Sequence, residues 1–364
     1  MRVLVTGHAG YLGSVMVPIL RAAGHEVVGL DTFLYEDCSL WPHSDEMIRP
    51  QRKDIRDIGH VDLGGFEAMI HLAGLCEDPV SDLHPEWTDE INHRASVRLG
   101  LLAREAGVER FLYASSCNMY GAAGADDLLN EEAPLRPLTA YATAKVRAED
   151  GLARLADHSF SPVFMRCATA YGVSPRLRAD LLLNELVCWG HTTGRIRIMN
   201  DGTPWRPIVH VQDIARAFAA VLAAPPAAIH NQAFNVGANG ESYQVRELAE
   251  IVRDTVPGCT VEYTKPGGYD PASYRVDFSK LSRTFPDFKP QWNASFGAKD
   301  LYAALQEAQV TLADLQGRRF VRRSQIKHLL SFGLLANALR WSAPGAGAYE
   351  TMEHGAADRS RETA

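Results

Sequence analysis

The first residues of the chain constrain its fold more than any other stretch. Residues 2–6 form a short β-rich run, and Gly7, Gly10 and Gly13 follow it at three-residue spacing before a helix-like run, 14–23. Glycines in a turn between a strand and a helix let the backbone approach a pyrophosphate at the helix N-terminus. This order of elements predicts a dinucleotide-binding turn, with an ordinary β-turn as the alternative.

An acidic residue, Asp31, closes the second predicted strand, 26–30. A carboxylate at that position accepts hydrogen bonds from the adenosine ribose hydroxyls and repels a 2′-phosphate. Thr32 and Phe33 follow with no arginine beside them. The pattern favours NAD over NADP, and the alternative is an ordinary aspartate at a strand end.

Two apolar runs predict buried parallel strands. Residues 68–74 end in small side chains, as a strand beneath a cofactor does, and 110–114 are followed directly by Ser115 and Ser116. We therefore expect an α/β fold with a doubly wound parallel sheet of the Rossmann type, which binds ligands outside the carboxyl ends of its strands. His71, within the first run, is predicted to be a hydrogen-bonded core histidine rather than a catalytic one.

A tyrosine and a lysine, Tyr141 and Lys145, stand four residues apart in an alanine-rich stretch that predicts a helix. Residues at that spacing share one helix face. A neighbouring ammonium favours the phenolate, which makes Tyr141 a candidate proton acceptor. The spacing alone is weak evidence, and it gains weight from the glycine turn, Asp31 and the two serines.

The composition is that of a soluble globular protein, with 46% hydrophobic and 22% charged residues over 364 positions. A net charge of -7 argues against a general nucleic-acid binder. No apolar run approaches the roughly 20 residues that span a bilayer, and a strand begins at once, so no membrane partner and a cytoplasmic location are expected. No zinc spacing is present, so we expect no metal and mostly buried, reduced thiols at positions 38, 76, 117, 167, 188 and 259.

Five motifs follow one another in a fixed order: Thr6-Gly-x-x-Gly-x-x-Gly13, Asp31, His71-Leu-Ala-Gly74, Ser115-Ser116 and Tyr141-x-x-x-Lys145. This set resembles the extended short-chain dehydrogenase/reductases, and among them the nucleotide-sugar epimerases and dehydratases typified by UDP-galactose 4-epimerase. The resemblance covers about residues 1–300. It implies NAD as the cofactor, a nucleoside-diphosphate sugar as the substrate and a homodimer.

The resemblance also implies roles for single residues. Tyr141 would be the catalytic base, Lys145 would hold the nicotinamide ribose and lower the tyrosine pKa, and Ser116 would orient the sugar hydroxyl. The remaining cofactor contacts would come from Gly7, Gly10, Tyr11, Leu12, Gly13, Asp31, Asp54, Ile55, Leu72, Ala73, Gly74, Asn92 and Ser115.

Substrate contacts are implied in the second half of the chain. Asn184 resembles an asparagine that contacts the diphosphate, and Ile198 and Arg206 belong to a segment that clamps the base and offers an arginine to the diphosphate. A structural ion pair is the alternative for Arg206. The second diphosphate cation is either Lys265 or Arg275, and the sequence does not choose between them.

Departures from the family pattern bear on the reaction. Thr169 stands where relatives usually carry asparagine, and Cys76 replaces a lysine of the 4-epimerase pattern. Cys117 and Asn118 occupy the place of the Asp-Glu pair of 4,6-dehydratases. The resemblance thus implies an epimerase that oxidises its sugar transiently, at C4. A ketoreductase or dehydratase and a non-catalytic NAD-binding scaffold are the alternatives. Cys117 is either an acid/base or, as we favour, a packed thiol.

The predicted organisation is discontinuous. Residues 1–172, with 208–236 returning to them, would form the NAD-binding Rossmann domain, and 173–207 with 237–316 the substrate lobe. A basic helix is predicted for 317–341, solvated and packed on its own protomer or a dimer partner, with a membrane or phosphate surface as the alternative. The final residues, 342–364, are predicted to be disordered.

Overall fold

The computed structural model describes residues 1–41, 48, 50–76, 84–121, 127–264 and 273–342. Its centre is a seven-stranded parallel sheet in the order β3-β2-β1-β4-β5-β7-β11. This confirms the predicted doubly wound sheet. The strands are β1 Arg2–Thr6, β2 Glu26–Asp31, β3 Pro50–Arg52, β4 Ala68–His71, β5 Arg110–Ser116, β7 Ser161–Cys167 and β11 Gln232–Val236.

Smaller sheets lie beside this one. They pair β6 Leu128–Leu129 with β14 Arg275–Val276, join β8 Thr169–Tyr171, β10 Trp205–His210 and β12 Ser242–Gln244, and pair β9 Arg195–Ile198 with β13 Thr260–Tyr263.

Helices pack on the large sheet and on the smaller sheets. They are α1 Gly13–Ala22, α2 Pro85–Thr88, α3 Ser96–Glu105, α4 Ala140–Ala153, α5 Leu182–Thr193, α6 Val211–Ala223, α7 Pro226–Ile229, α8 Val245–Thr255, α9 Ser279–Thr284, α10 Ala294–Glu307, α11 Leu312–Gln316 and α12 Arg322–Ser331. A π-helix, Asp89–Ala95, joins α2 to α3, and 3₁₀ turns span Ile55–Asp57, His60–Asp62 and Cys117–Tyr120. In the described residues, none of the helices is long and apolar enough to cross a membrane.

The core has three parts. Successive residues of a strand point to opposite faces of a sheet, so Val3 packs into one apolar cluster while Leu4 packs into another on the opposite face. A third cluster, which includes Leu186, Val252 and Leu301, lies between α5, α8 and α10. All six cysteines are free, and four of them are buried, so the thiols are mostly buried as predicted; their reduced state stays a prediction.

Two helix predictions near the C-terminus need correction. The sequence predicts one helix over 301–315. The structure has two helices there, because Gln309 has a φ of +49° and Thr311 caps α11 with an Oγ1 that accepts a hydrogen bond from Asp314 N at 3.3 Å. Of the predicted basic helix 317–341, only Arg322–Ser331 is helical. In the predicted tail 342–364, everything after Ser342 lies outside the described residues.

Candidate active site

The strand order reverses beside β1, which lies between β2 and β4, and a crevice opens there at the carboxyl ends. The glycine turn fills one side of it. Gly7 has a φ of +75°, and a Cβ on it would lie 2.7 Å from Ala73 N. A Cβ on Gly13 would lie 2.4 Å from Gly7 O. The turn is therefore packed main chain against main chain, and only glycine fits.

The N-terminus of α1 opens into the same crevice. Leu12 is its N-cap, and no side chain of the described residues caps it. The first N–H groups of a helix have no partner within the helix, and they favour an anion. Because α1 begins at the crevice, its first N–H groups suit the pyrophosphate of a dinucleotide.

Asp31 lies at the end of the crevice where the adenosine of the dinucleotide is expected. Its two carboxylate oxygens accept hydrogen bonds from Ala9 N at 3.1 Å and from Phe33 N at 2.8 Å. Arg52 lies opposite Asp31 in β3, but its guanidinium stacks over the Phe33 ring at 4.2 Å and pairs with Glu36 at 2.8 Å. Sequence reasoning had missed this arginine, and its pairing with Glu36 keeps the site suited to NAD.

The predicted catalytic residues meet where β5 ends beside α4. Lys145 is 3% exposed; its Nζ donates to Ala114 O at 2.6 Å and lies 5.7 Å from the centre of the Tyr141 ring. Ser116, the last residue of β5, lies close enough to Tyr141 to act on its phenol. Thr139 fixes the start of α4, since its hydroxyl accepts from Ala142 N at 3.1 Å.

Two opposed effects act on the Tyr141 phenol. Burial raises its pKa, while the Lys145 ammonium and the Ser116 hydroxyl lower it. Burial is the larger effect, so the pKa of Tyr141 lies above its ordinary value of 10.0. Lys145 acts in the predicted direction, but it does not by itself bring the tyrosine to neutral pH.

Two cavities adjoin at this point. The first, which we call the cofactor cleft, is lined by predicted cofactor and catalytic residues: Gly7, Gly10, Tyr11, Leu12, Asp31, Asp54, Ile55, Leu72, Ala73, Gly74, Ser115, Ser116, Tyr141 and Lys145. The second, the substrate cavity, has a volume of about 800 Å³ and is lined in part by Ile198 and Arg206. Asn118 and Thr169 line both cavities.

Two predicted ligand contacts are placed behind these walls instead. Asn92 is 1% exposed, and its amide accepts from Leu75 N at 2.8 Å and donates to Leu75 O at 2.7 Å. Asn184 is fully buried and bonds Gly172 N, the Tyr11 hydroxyl and Arg178 O. In the described structure both asparagines support the cavity walls rather than line them.

Asp54 and Tyr11 line the cleft with their polar groups already engaged. The Asp54 carboxylate pairs with Arg56 at 2.7 Å and lies 3.7 Å from Arg340. The Tyr11 hydroxyl donates to Gly172 O at 2.8 Å. The predicted contact of Asp54 with the cofactor therefore competes with a strong ion pair.

The predicted diphosphate cations differ in position. Arg206 lines the substrate cavity and donates to Trp205 O at 3.0 Å. Arg275 stacks over the Trp205 ring at 5.0 Å, and within the described chain it lines neither cavity. Lys265 lies outside the described residues. The choice between Lys265 and Arg275 stays a prediction.

The residues at the dehydratase position are unsuited to acid/base chemistry. Cys117 is 0% exposed, its thiol donates to Arg166 O at 3.1 Å, and burial raises its pKa well above the ordinary value. The Asn118 amide accepts from the Tyr274 hydroxyl at 2.8 Å. His71 is a core residue as predicted: its ring nitrogens bond Thr6 and Ser96, and burial lowers its pKa to about 3.

Sequence reasoning had not found three of the residues that line the cofactor cleft, Arg178, Arg322 and Leu339. Arg322 and Leu339 belong to the C-terminal segment, where a basic cluster was visible without any indication of what it packs against. Within the described residues, no group of three or more His, Cys, Asp or Glu is placed to hold a metal ion.

Several known proteins are similar to this chain in sequence and in fold. A model of the NAD dependent epimerase/dehydratase family matches residues 3–237. A UDP-glucose 4-epimerase from Mycolicibacterium smegmatis is 34% identical over 268 residues, which cover 70% of this chain and 83% of that protein. Among solved structures, MoeE5 in complex with UDP-glucuronic acid and NAD is 27% identical with a TM-score of 0.72, covering 85% of this chain and 100% of the other. DesIV, a dTDP-glucose 4,6-dehydratase from Streptomyces venezuelae with NAD bound, is 26% identical with a TM-score of 0.72, covering 84% and 97%.

The matched region and the site coincide. The glycine turn, Asp31 and the Ser116, Tyr141 and Lys145 group all lie between residues 3 and 237, in a cleft whose main chain fits a dinucleotide. The resemblance drawn from the sequence is thus confirmed. This chain belongs to the NAD dependent epimerase/dehydratase family, and its cofactor is the NAD that the sequence predicts.

Proposed function

We propose that the chain is an NAD-dependent nucleotide-sugar epimerase, which oxidises a nucleoside-diphosphate sugar transiently at C4 and re-reduces it with inversion. The observation that carries the proposal is the position of Ser116, Tyr141 and Lys145 on the cofactor cleft, beside the residues shared with the substrate cavity. A sugar that enters from the substrate cavity would present its hydroxyl to Tyr141 at this junction.

The three side chains take complementary roles. Tyr141 accepts the proton of the sugar hydroxyl, Ser116 orients that hydroxyl, and Lys145 holds the nicotinamide ribose. Bound NAD supplies the hydride acceptor and donor, with a positive nicotinamide that adds to the effect of Lys145. Tyr141 is partly buried, and burial raises its pKa; the two positive charges act in the opposite direction and favour its deprotonation.

A nucleoside-diphosphate sugar is the proposed substrate for two reasons. MoeE5, with which this chain shares its fold, was solved with UDP-glucose as well as UDP-glucuronic acid. Arg206 lines the substrate cavity, and a guanidinium offers a fixed fork of donors to a diphosphate. Thr169 and Asn118 would face the sugar.

Dehydration is the second activity to weigh, because DesIV is a 4,6-dehydratase. Removal of water from a sugar needs an acid and a base beside the leaving hydroxyl. Here Cys117 is buried with a raised pKa, and the Asn118 amide does not titrate. These two residues favour epimerisation over elimination.

The test is to incubate the purified protein with a panel of nucleotide sugars, without added reductant, and to follow product mass and chromatographic retention. A product of unchanged mass and shifted retention is expected. Loss of one water would replace the proposal with a dehydratase, and turnover only of a keto sugar with NADH would replace it with a ketoreductase. The homodimer and the cytoplasmic location remain predictions of the sequence.

A further inference from the structure

The C-terminal segment 317–342, which we call the strap, lies outside the matched family region and folds back over the cofactor domain. It packs on the loop that follows β2. The Trp341 indole donates to Thr32 O at 2.7 Å, and the Gln325 amide donates to Leu34 O at 3.2 Å. Arg319 donates to Ser39 O at 2.9 Å. Ile326 and Leu329 of the strap are 0% exposed and belong to the core beneath the sheet.

The strap also reaches the cofactor cleft itself. Arg322 and Leu339 line the cleft together with Asp31, Leu34 and Tyr35. Asp31 is where the adenosine ribose is expected, so the strap forms the outer wall of the cleft at its adenosine end.

Arg322 has an unsatisfied donor on this wall. Arg322 is 4% exposed. Its Nη2 donates to Arg176 O at 2.8 Å, and its guanidinium lies 4.5 Å from the centre of the Tyr35 ring. Its Nη1 is buried and has no hydrogen-bond partner among the described residues. A buried cationic donor without an acceptor is strongly unfavourable. The arrangement is therefore suited to an acceptor that arrives with a ligand.

The surrounding charges indicate that this acceptor is anionic. Arg176 lies close to Arg322, and burial and the Arg322 charge both lower the pKa of Arg176. The Arg176 Nε donates to Ala9 O in the glycine turn at 3.3 Å. The nearby carboxylates have other partners: Glu36 pairs with Arg52, Asp37 pairs with Arg318, and Asp31 accepts from backbone N–H groups. The Cys38 thiol is within hydrogen-bonding reach of the Arg322 guanidinium, but burial raises its pKa, so it is a neutral partner and does not balance the charge.

We propose that Arg322 donates to a phosphate oxygen of the dinucleotide, and that the strap thereby retains the cofactor between turnovers. Retention matters for a reaction that returns its hydride to the same sugar, because loss of the reduced cofactor before the hydride returns would leave the sugar as a keto intermediate. The inference rests on NAD in the cleft and not on the proposed epimerase activity, so its test follows the cofactor alone.

The first experiment compares the purified wild-type protein with Arg322→Gln and with Arg323→Gln. Arg323 is the neighbouring arginine of the same helix, and it is exposed, which makes it the matched control. The readouts are the NAD released by denaturation, quantified by chromatography, and the half-time of NAD loss on dilution. A charge-assisted hydrogen bond corresponds to about a tenfold or greater change, so Arg322→Gln is expected to lose NAD at least tenfold faster while Arg323→Gln resembles the wild type. Equal retention in all three proteins overturns the proposal.

A second experiment separates a phosphate contact from a structural role. After removal of NAD, the full-length proteins are titrated calorimetrically with adenosine, ADP, NAD and NADP. A loss of affinity for ADP and NAD with adenosine unchanged places Arg322 on the pyrophosphate. A loss confined to NADP would place Arg322 on a 2′-phosphate that NAD lacks, which overturns the proposal. An equal loss for adenosine and ADP means that the substitution only loosens the wall, which overturns the proposal. Arg322→Lys keeps the charge without the fork, and we expect intermediate retention.

Discussion

The cofactor cleft and the substrate cavity are built in different ways. On the side of the glycine turn, the wall of the cleft is main chain packed on main chain: a Cβ on Gly7 would meet the backbone of Leu72 and Ala73, which follow directly from the carboxyl end of β4. The substrate cavity is made of side chains from distant segments, including Trp189, Met199, Arg206 and Tyr274. Main-chain geometry thus shapes the cofactor cleft at the glycine turn, while side chains from distant segments shape the substrate cavity.

The largest expected effect is at the junction of the two regions. Tyr141→Phe removes the proposed proton acceptor but leaves the glycine turn and Asp31 in place. Turnover of the nucleotide sugar should fall by about 10²- to 10⁴-fold, while the NAD content of the purified protein stays that of the wild type. Steady-state kinetics with chromatographic quantification of NAD checks both. An active phenylalanine variant would remove Tyr141 from the mechanism.

The next largest effect is expected from a substitution that displaces the main chain of the glycine turn. A Cβ on Gly13 would lie 2.4 Å from Gly7 O and 2.5 Å from His8 Cα, so the turn must shift in Gly13→Ala. We expect a loss of about 1–3 kcal/mol in the free energy of unfolding, together with weaker NAD binding. Gly64→Ala is the matched control, since nothing lies within 4 Å of its Cβ position. Urea unfolding and NAD titration measure both, and normal NAD binding by Gly13→Ala would show that the turn tolerates displacement.

The same contrast explains what the sequence could predict. The glycine turn, Asp31 and the Tyr141–Lys145 pair depend on residues close together in the chain, and local spacing reveals them. The contact of Tyr274 with Asn118 joins residues 156 positions apart, and that of Arg322 with Arg176 joins residues 146 positions apart. No local pattern encodes which loops meet.

Some misses had a signal in the sequence. Thr311 and Asp314 form a capping box that marks the start of a new helix, and it divides the predicted helix 301–315. Other misses had none, because residue type alone does not place a side chain. Asn184 is polar like a ligand residue, yet burial of its amide against backbone groups makes it a wall support. Likewise, the basic cluster does not reveal that Arg322 is buried while Arg323 is exposed.

Two buried histidines make the molecule sensitive to acid, one in the seven-stranded sheet and one in the three-stranded sheet. Burial lowers the pKa of His71, in β4, and of His210, at the end of β10, from 6.5 to about 3 in each case. The unfolded chain therefore binds more protons than the folded one below pH 6.5, so this contribution to stability is complete above pH 6.5 and is lost as the pH falls toward 3. Each histidine should contribute a loss of about 2 kcal/mol between pH 7 and pH 5.

The measurement is urea unfolding at pH 7 and pH 5 for the wild type, His71→Gln and His210→Gln. Each variant is expected to lose less stability on acidification than the wild type, by about 2 kcal/mol, whatever its stability at pH 7. His158→Gln, at an exposed position, serves as the control. An unchanged pH dependence in His210→Gln would place the acid sensitivity at His71, in the seven-stranded sheet, alone.

The smallest expected effect concerns the wall of the substrate cavity. The Tyr274 hydroxyl donates to the Asn118 amide at 2.8 Å, and Asn118 lines both cavities. Tyr274→Phe removes that bond at a cost of about 1 kcal/mol, so we expect a several-fold rise in KM for the nucleotide sugar with the affinity for NAD unchanged. Tyr263→Phe, on an exposed residue of β13, is the control. If Tyr274→Phe instead weakened NAD binding, the hydrogen bond to Asn118 would be shaping the cofactor cleft, and the division between a main-chain cofactor site and a side-chain substrate site would not hold at their junction.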